Sequence, residues 1–324
     1  MILKIMRPYY FLIMISIILL FSSGCVQNST DTSDLGIKIL GKDNYDTIQN
    51  AINHASDGDT ILISKGIYYE HIQVNKTILI KGEHKDHTIL DGNNTSSVCI
   101  ITSDDVGIMN LSFRNSGSNS DDAGINIQAN NSRIDNCSFY QNYKGVSVSK
   151  VQNTRNNVIN NNTFYHNHHG VYLKESNRNH ITHNTIINNS GYGIFLDFYA
   201  NNNQIKNNII KTNEIGIRIK TAILNTVTKN WLIENTGEGI HLCCSSHDNT
   251  MFQNYLINNS VNAMDRFSNQ WNYKDIGNYW SDYVQQNLNA IDENQDGFWD
   301  IPYIIEDGEN SDTYPLTTYP IYKK

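Results

Sequence analysis

Apolar and polar residues alternate along most of this chain in short runs, and each run ends at Asn or Gly. Alternation over only three to five residues predicts short β-strands, because a helix would place its apolar residues three or four positions apart. A glycine followed by such a strand recurs every 21 to 25 residues, at Gly124, Gly145, Gly170, Gly193, Gly216 and Gly239. A regular period of this length predicts a solenoid in which each repeat forms one turn.

Three columns of asparagine keep the same phase as these glycines. The first column is Asn157, Asn179, Asn203, Asn225 and Asn249; the second is Asn162, Asn184, Asn208, Asn230 and Asn254, with Cys137 in its first place; the third is Asn142, Asn167, Asn189, Asn213, Asn235 and Asn259. Asn tolerates left-handed backbone angles, which suits tight bends. Amides stacked about 4.8 Å apart can also bond along the stack. The columns therefore predict an all-β fold, a right-handed parallel β-helix.

The segment before the repeats predicts the start of the same solenoid. The run from Gly36 to Leu40 is typical of a strand. Residues 44–55 instead carry apolar side chains at helical spacing, which predicts a short amphipathic helix. An uncovered solenoid end would expose strand edges and apolar interior, so we expect this helix to cap the first turn.

Residues 47–92 and the tail resemble a known group. The segments TIQNAI, DGDTILISKGIYYEHIQVNKTILIKGE and TILDG are similar to the start of NosD-like, pectin-lyase-type β-helices, and the Asn-rich repeats continue the likeness to about residue 265. The tail order GNYWSDY, an Asp-rich loop, IPY and DTYPL resembles the end of many NosD-like surface proteins. The resemblance implies the carbohydrate-binding and sugar-hydrolase class of solenoids. Because NosD is associated with maturation of a copper site, it also implies copper as an alternative.

The N-terminus predicts export. Lys4 and Arg7 precede an apolar run over residues 9–21, and Cys25 follows a Ser-Ser-Gly segment. We interpret residues 1–24 as a signal peptide, Cys25 as a lipid-attachment site and residues 25–35 as the anchor and its polar tether. An uncleaved anchor or ordinary secretion are the alternatives. Beyond these segments we expect the β-helix over residues 36–270 and a capping tail over residues 271–324, outside the cytoplasm at the cell surface or in the periplasm.

Charge and cysteine content narrow the function. A formal net charge of -8 without a basic run argues against a nucleic-acid partner and against electrostatic membrane binding. The cysteines other than Cys25 fit neither a disulfide framework nor a zinc site, and we expect Cys243 to be the exposed one: they are Cys99, Cys137, Cys243 and Cys244. Composition does not predict an oligomeric state.

The tail carries a candidate cation site. Oxygen side chains at alternate positions, followed by Gly297, allow a loop to wrap a hard cation. The predicted ligands for a structural Ca²⁺ are Asp292, Asn294, Asp296, the carbonyl of Phe298 and Asp300. The loop ends at Tyr303 where an EF-hand has Glu, so it is not a complete EF-hand. A turn without metal is the alternative.

The strands that follow the glycines carry a candidate ligand-binding face. Their predicted outward residues are small and polar in the first two repeats and then become aromatic and charged. The predicted ligand-binding residues are Tyr172, Lys174, Phe195, Asp197, Arg218, Lys220 and His241. Aromatic rings beside charged groups suit sugars, because C–H faces pack on rings and hydroxyls bond to charges. We therefore expect a cell-surface or extracellular glycan as the partner, bound without catalysis.

Two further functions remain as alternatives. Asp197 with Lys220 and His241 could act as a base assisted by cations in a polysaccharide lyase, epimerase or hydrolase, although a plain ion pair across strands explains the same residues. Copper would need ligands from the histidine-rich segment, which has no obvious sulfur partner, so the sequence does not favour it. Its candidates are His166, His168, His169 and His183.

Overall fold

A computed structural model describes residues 36–319 of the chain, apart from the side chains of residues 150–153. The predicted signal segment, the lipid-attachment site Cys25 and the tether lie outside the described residues. Among the described residues, no helix is long and apolar enough to cross a membrane.

The predicted right-handed parallel β-helix is confirmed: in the described residues three sheets run along about nine turns, and all their strands pair in parallel except Ile37–Ile39, which pairs antiparallel with both of its neighbours. In order across each sheet, the strands of sheet 1 are Asn44–Tyr45, Ile37–Ile39, Thr60–Ile63, Leu79–Gly82, Gly107–Met109, Arg133–Asp135, Val158–Asn160, His180–Thr182, Gln204–Lys206, Thr226–Thr228 and Thr250–Phe252. Those of sheet 2 are Tyr279–Trp280, Tyr255–Ile257, Trp231–Ile233, Ile209–Lys211, Thr185–Ile187, Thr163–Tyr165, Ser138–Tyr140, Ser112–Arg114, Thr88–Asp91 and Gly66–Tyr68. Those of sheet 3 are Val261–Asp265, Glu238–Cys243, Ile215–Lys220, Tyr192–Asp197, His169–Asn177, Lys144–Arg155, Ala123–Ile127, Cys99–Ile101 and Ile72–Val74.

The core is a set of identical or similar side chains stacked from turn to turn. In sheet 2, the rings of Phe113, Phe139 and Phe164 stack with centroids 5.4 and 4.8 Å apart. Six of the sheet 3 strands have glycine as their second residue, and close packing requires it there, not an unusual backbone angle. A Cβ on Gly170 would lie 2.5 Å from the carbonyl oxygen of Gly193. The repeat that marks the sequence is therefore a consequence of how closely successive turns approach.

The asparagine columns form continuous hydrogen-bonded ladders. The Oδ1 of Asn208, for example, accepts both the backbone N–H and the side-chain N–H of Asn184, at 2.9 and 3.0 Å. Its Nδ2 donates to the carbonyl of Ile181 and to Oδ1 of Asn230. Every polar atom of such an amide is satisfied although the residue is fully buried.

The left-handed bends lie one residue earlier than the ladder asparagines. No ladder residue has positive φ, whereas the residue before each of them does, and that residue is of almost any type. Leu224, Lys229 and Glu234, for example, have φ of 58°, 56° and 51°. The association of Asn with left-handed bends is therefore wrong for these columns, because a ladder Asn stabilises the turn through its side chain while its neighbour bends the backbone.

Both ends of the solenoid carry short additional elements. The helix Ile48–His54 buries Ile48, Ala51 and Ile52 and begins at Thr47, whose hydroxyl accepts the N–H of Asn50. It is shorter than the predicted span, because Asn44–Tyr45 pair antiparallel with the strand Ile37–Ile39. At the other end lie the helix Tyr283–Gln286 and a two-stranded sheet of Tyr303–Ile304 and Ser311–Asp312.

Each ladder ends at an aspartate near the C-terminus. Asn269 ends the first ladder and donates to Asp265 at 2.9 Å. Asn278 ends the second ladder, and its backbone N–H donates to Asp312 at 2.6 Å. The third ladder continues through Asn262, which donates to Asp282 at 2.6 Å.

Candidate functional site

The predicted outward residues of sheet 3 are aligned across the turns as the sequence indicates. Ser147, Tyr172, Phe195, Arg218 and His241 are successive partners in register, and so are Ser149, Lys174, Asp197, Lys220 and Cys243. We call these two columns, together with the residues Lys144, His169 and Tyr192 that precede the glycines, the sheet 3 face. The face thus brings all seven predicted ligand-binding residues onto one surface.

Asp197 lies at the centre of the polar contacts on this face. The hydroxyl of Tyr172 donates to its Oδ2 at 2.9 Å, and the ammonium of Lys220 lies 3.8 Å from its Oδ1. The backbone N–H of Phe198 also donates to Oδ1, at 3.1 Å. Burial and the neighbouring Asp197 carboxylate raise the pKa of Tyr172, so its hydroxyl stays protonated and remains a donor.

Tyr172 is not an open stacking surface. The ammonium of Lys144 lies 3.9 Å from the centroid of its ring, and Phe195 packs edge-on against the ring at 5.3 Å. Burial lowers the pKa of Lys144 to about 8. Sequence reasoning missed Lys144 because it lies before the glycine and outside the two outward columns.

The most exposed rings next to the face belong to Phe198 and Tyr199, which sequence reasoning also missed. They follow Asp197 in the turn that leaves sheet 3, with 43% and 60% of their surface exposed. Both have positive φ, 32° and 56°, a region that bulky residues rarely occupy. The ammonium groups of Lys174 and Lys220 lie 5.9 and 5.6 Å from the Phe198 ring. The sequence did contain a signal for these rings, namely two adjacent aromatic residues directly after the strand.

Arg218 and His241 form a separate group further along the face. Arg218 Nη1 lies 3.0 Å from Nδ1 of His241, and Glu238 Oε1 approaches the same nitrogen at 3.0 Å. A guanidinium can only donate and a carboxylate can only accept, so Arg218 and Glu238 make opposite demands on Nδ1. Burial and the charge of Arg218 lower the pKa of His241, whereas Glu238 opposes this shift. The contacts of His241 are to Arg218 and Glu238, whereas those of Asp197 are to Tyr172 and Lys220.

His169, one of the residues of the sheet 3 face, is buried and held neutral. Its Nδ1 accepts the backbone N–H of Tyr192 at 3.0 Å, and the two rings stack at 4.8 Å. Burial lowers the pKa of His169 to about 3.

The candidate copper ligands of the histidine-rich segment are only partly close together. The rings of His168 and His169 lie with their centroids 4.2 Å apart, whereas His183 contacts Asn160 and Asn207. His168 also contacts Ser190. Within residues 36–319, no three His, Cys, Asp or Glu side chains are arranged to hold a metal ion. The residues present therefore do not fit a copper centre of that kind.

The Asp-rich loop of the tail is closed by its own hydrogen bonds. Asp292 accepts the backbone N–H groups of Asp296 and Gly297 at 3.1 and 3.0 Å. Asp300 accepts the N–H of Glu293 at 3.0 Å, while Asn294 donates to Asp296 at 2.9 Å. Gly297 has φ of 91°, as the sharp turn requires.

Sheet order, ladders and stacked turns define a right-handed parallel β-helix. The profile of the NosD family, described as "Periplasmic copper-binding protein (NosD)", matches residues 52–285, more than two thirds of the chain. The chain therefore belongs to the NosD family. A comparison with curated proteins finds no match.

Solved structures similar to this chain share its fold at low identity. The enzymatically active domain of bacteriophage CBA120 tailspike protein 2 has a TM-score of 0.55 at 15% identity, covering 74% of this chain and 40% of that one. The A-module of the Azotobacter vinelandii mannuronan C-5 epimerase AlgE6 has 0.50 at 13%, covering 74% and 76%. Pectate lyase Pel9A has 0.51 at 15%, covering 72% and 68%. The chain thus spans about two fifths of the tailspike domain.

Proposed function

We propose that this NosD-family solenoid binds carbohydrate on its sheet 3 face, outside the cytoplasm and without catalysis. The observation that carries the proposal is the pair of exposed rings, Phe198 and Tyr199, beside the charged side chains of Lys174, Asp197 and Lys220. Exposed rings pack on the C–H face of a sugar, and neighbouring charges bond to its hydroxyls. The proposal rests on these side chains, because the structural neighbours share only the fold.

The charge of the face favours sugars that carry carboxylates. The face carries one aspartate, Asp197, whose carboxylate already accepts a hydrogen bond from Tyr172. Its positively charged side chains are Lys144, Lys174, Arg218 and Lys220. Glu238 lies beside His241 at one end. An anionic glycan would place its carboxylates near Lys174 and Lys220 while a ring packs on Phe198.

A glycan array on the purified protein, with calcium in the buffer, tests this proposal. We expect binding of acidic oligosaccharides, weakened about tenfold or more by Phe198→Ala, a loss of about 1.4 kcal/mol. Tyr69→Ala is the matched control, because Tyr69 is 69% exposed but follows a strand of sheet 2 in the first turn. If Phe198→Ala bound glycan as strongly as the control Tyr69→Ala, or if the wild type bound no glycan, the proposal would be contradicted.

One cluster favours acid–base catalysis as a second candidate. Lys144 is a buried amine whose pKa of about 8 lies near neutral pH, and it contacts the ring of Tyr172, which in turn bonds Asp197. A general base is most effective when its pKa lies near the working pH. Product analysis on every glycan that binds distinguishes the two functions. Turnover abolished by Lys144→Met or Asp197→Asn, with binding retained, would establish an enzyme of the lyase or epimerase kind.

Copper, the ligand in the family description, remains a third candidate. Titration of the metal-free protein with Cu(I) and Cu(II) tests it, with His168→Ala and His183→Ala as variants. Tight binding of one copper ion that these variants remove would favour copper over carbohydrate. The divergent contacts of the two imidazoles favour the opposite result.

A structural Ca²⁺ in the loop from Asp292 to Asp300 is a separate part of the proposal. Alternating carboxylate and amide oxygens at 292, 294 and 296 support it, with the Phe298 carbonyl and Asp300 completing the set. We expect Ca²⁺ to raise the thermal midpoint of the wild-type protein and to leave that of Asp296→Asn unchanged. The same midpoint for the wild type in Ca²⁺ and in EDTA would indicate a metal-free turn.

Attachment to the membrane through a lipid on Cys25 completes the proposal. Metabolic labelling with a radioactive fatty acid in a bacterial host tests it, with Cys25→Ser as the unlabelled control. A protein that is released from the membrane without label would favour ordinary secretion.

A further inference from the structure

Cys243 and Cys244 form a pair of thiols that the proposed carbohydrate site does not use. Cys243 is half-buried in the second outward column of the sheet 3 face, next to Lys220, and Cys244 is exposed. Their sulfur atoms lie only 2.9 Å apart. This differs from the expectation that Cys243 is the exposed member of the pair.

The backbone explains why adjacent residues bring their sulfurs together. Successive side chains of a strand point to opposite faces, but the strand ends at Cys243. Cys244 and Ser245 have φ of 58° and 64°, so the chain turns and Cys244 faces the same side as Cys243.

Neighbouring turns hold this bend in place. Thr221 Oγ1 donates to the carbonyl of Cys244 at 3.0 Å. Ser246 Oγ bonds to the carbonyls of Cys243 and Ile219, at 2.8 and 3.1 Å. The pair is therefore positioned before any reaction.

We propose that Cys243 and Cys244 form a reversible vicinal disulfide. Their separation exceeds an S–S bond by only about 0.9 Å. Disulfides form in extracytoplasmic compartments, and the family description places its members in the periplasm.

The geometry favours a disulfide over a metal bound by both thiols. Two thiolates on a tetrahedral ion with bonds of about 2.3 Å would sit about 3.8 Å apart, further than these sulfurs. The disulfide would be strained, because adjacent Cα atoms are about 3.8 Å apart across a trans peptide and ordinary disulfides need about 4.4 Å or more. Strained, exposed disulfides are the easily reduced ones, so the bond is reversible.

The reaction needs a disulfide donor such as oxidised glutathione. Cys244 loses its proton, and its thiolate attacks one sulfur of the donor, which breaks the donor's S–S bond and releases one thiolate. Cys243 then loses its proton and attacks the sulfur of Cys244, which releases the second thiolate. The donor gains two electrons, and its two thiolates take up the two protons. Exposure of Cys244 and the raised pKa of Cys243, about 11 because of burial, assign the attacking role to Cys244.

Arg218 is a positioning residue for this reaction. Its Nη2 donates to Sγ of Cys243 at 3.2 Å, and its charge stabilises the thiolate that must form in the second step. Arg218→Gln should therefore slow closure of the ring by about threefold or more. Lys81→Gln, an exposed change in sheet 1, should leave the rate unchanged.

Mass spectrometry of the full chain, equilibrated with oxidised glutathione or with dithiothreitol and then alkylated, tests the proposal. The peptide containing both cysteines should lose two hydrogen atoms in oxidised glutathione and recover both in dithiothreitol. In Cys243→Ser, Cys244 should instead carry glutathione, because no resolving thiol remains.

Three outcomes would overturn the proposal. The first is that both wild-type thiols stay open to alkylation in oxidised glutathione. The second is that the wild type keeps a glutathione adduct as Cys243→Ser does. The third is protection from alkylation that a chelator removes and a reductant does not, which would assign the pair to a soft metal ion. Cys99 and Cys137 serve as internal controls, because both are fully buried and should not react in the folded protein.

Discussion

Successive turns place asparagine at almost every ladder position, with Cys137 the exception in the second ladder, whereas the outward positions of sheet 3 change chemistry from turn to turn. In one ladder, Asn184 donates to Asn208 and Asn208 donates to Asn230, so each asparagine needs another asparagine in the next turn. Tyr172 and Phe195 occupy successive places on the outside without any such demand. The repeated residues inside the solenoid therefore stabilise the fold. The residues that differ from turn to turn on its outer surface are the candidates for function.

Breaking a ladder should have the largest effect. Asn208→Ala leaves two donors of Asn184 and the carbonyl of Ile181 without partners inside the solenoid. Buried unsatisfied groups cost about 1–3 kcal/mol each, so we expect the free energy of unfolding to fall by about 4 kcal/mol. Urea denaturation measures this loss. Asn207→Gly is the control, because Asn207 is only half-buried, has φ of 56° and lies outside the ladder, so the free energy of unfolding should change by less than about 1 kcal/mol.

The neutral imidazole of His169 should make the free energy of unfolding depend on pH. The unfolded chain binds a proton at this residue near pH 6.5, whereas the folded chain binds it only near pH 3. The stability contributed above pH 6.5 is therefore lost as pH falls toward 3, by about 2 kcal/mol between pH 7 and pH 5. His169→Gln keeps an acceptor for the Tyr192 N–H and should remove this dependence, while the exposed His180→Gln should retain it. An unchanged slope in His169→Gln would contradict the assignment.

The hydrogen bond between Tyr172 and Asp197 should have a smaller effect. Tyr172→Phe removes the hydroxyl but keeps the ring between Lys144 and Phe195. We expect a loss of about 1 kcal/mol in the free energy of unfolding. A double-mutant cycle with Asp197→Asn isolates this contact, and additive effects would show that the two residues do not interact.

The ion pair of Lys220 with Asp197 should matter least for stability. Lys220 is 37% exposed and the pair is 3.8 Å apart, so solvent screens it. Lys220→Gln should change the free energy of unfolding by less than about 0.5 kcal/mol while weakening acidic glycans on the array. If Lys220→Gln greatly lowered the free energy of unfolding but left glycan binding unchanged, the role of this lysine would be in stability and not in binding.

The regular part of the molecule was predictable, since one period fixes the register of every turn. The ladders, the apolar stacks and the alignment of Tyr172 with Phe195 and of Asp197 with Lys220 all follow from the period. Positions at strand ends were not predictable in the same way. Phe198 and Cys244 lie in turns with positive φ, and their direction depends on backbone angles that alternation does not specify.

Lys144 shows a second limit of prediction from the sequence. It lies at the start of its strand, where the alternating pattern gives no outward or inward assignment. Its ammonium donates to the carbonyl of Ser120, which lies in a loop outside the regular repeat. The sequence therefore predicted the alignment of the outward columns but not the buried lysine beside them.

The uniform direction of the ladders gives the solenoid an electrical polarity. Each ladder amide accepts from the preceding turn through its oxygen and donates one N–H to the following turn, while the other N–H of Asn208, for example, donates to the carbonyl of Ile181 in the preceding turn. The amide-to-amide bonds therefore all run in one direction, and their dipoles add along the axis as peptide dipoles do in a helix. The positive end of this sum lies at the last turn, where Asp265, Asp282 and Asp312 receive the final donors. Carboxylates of the last turn and the tail thus lie at the positive end of the amide column, where they act as counter-charges.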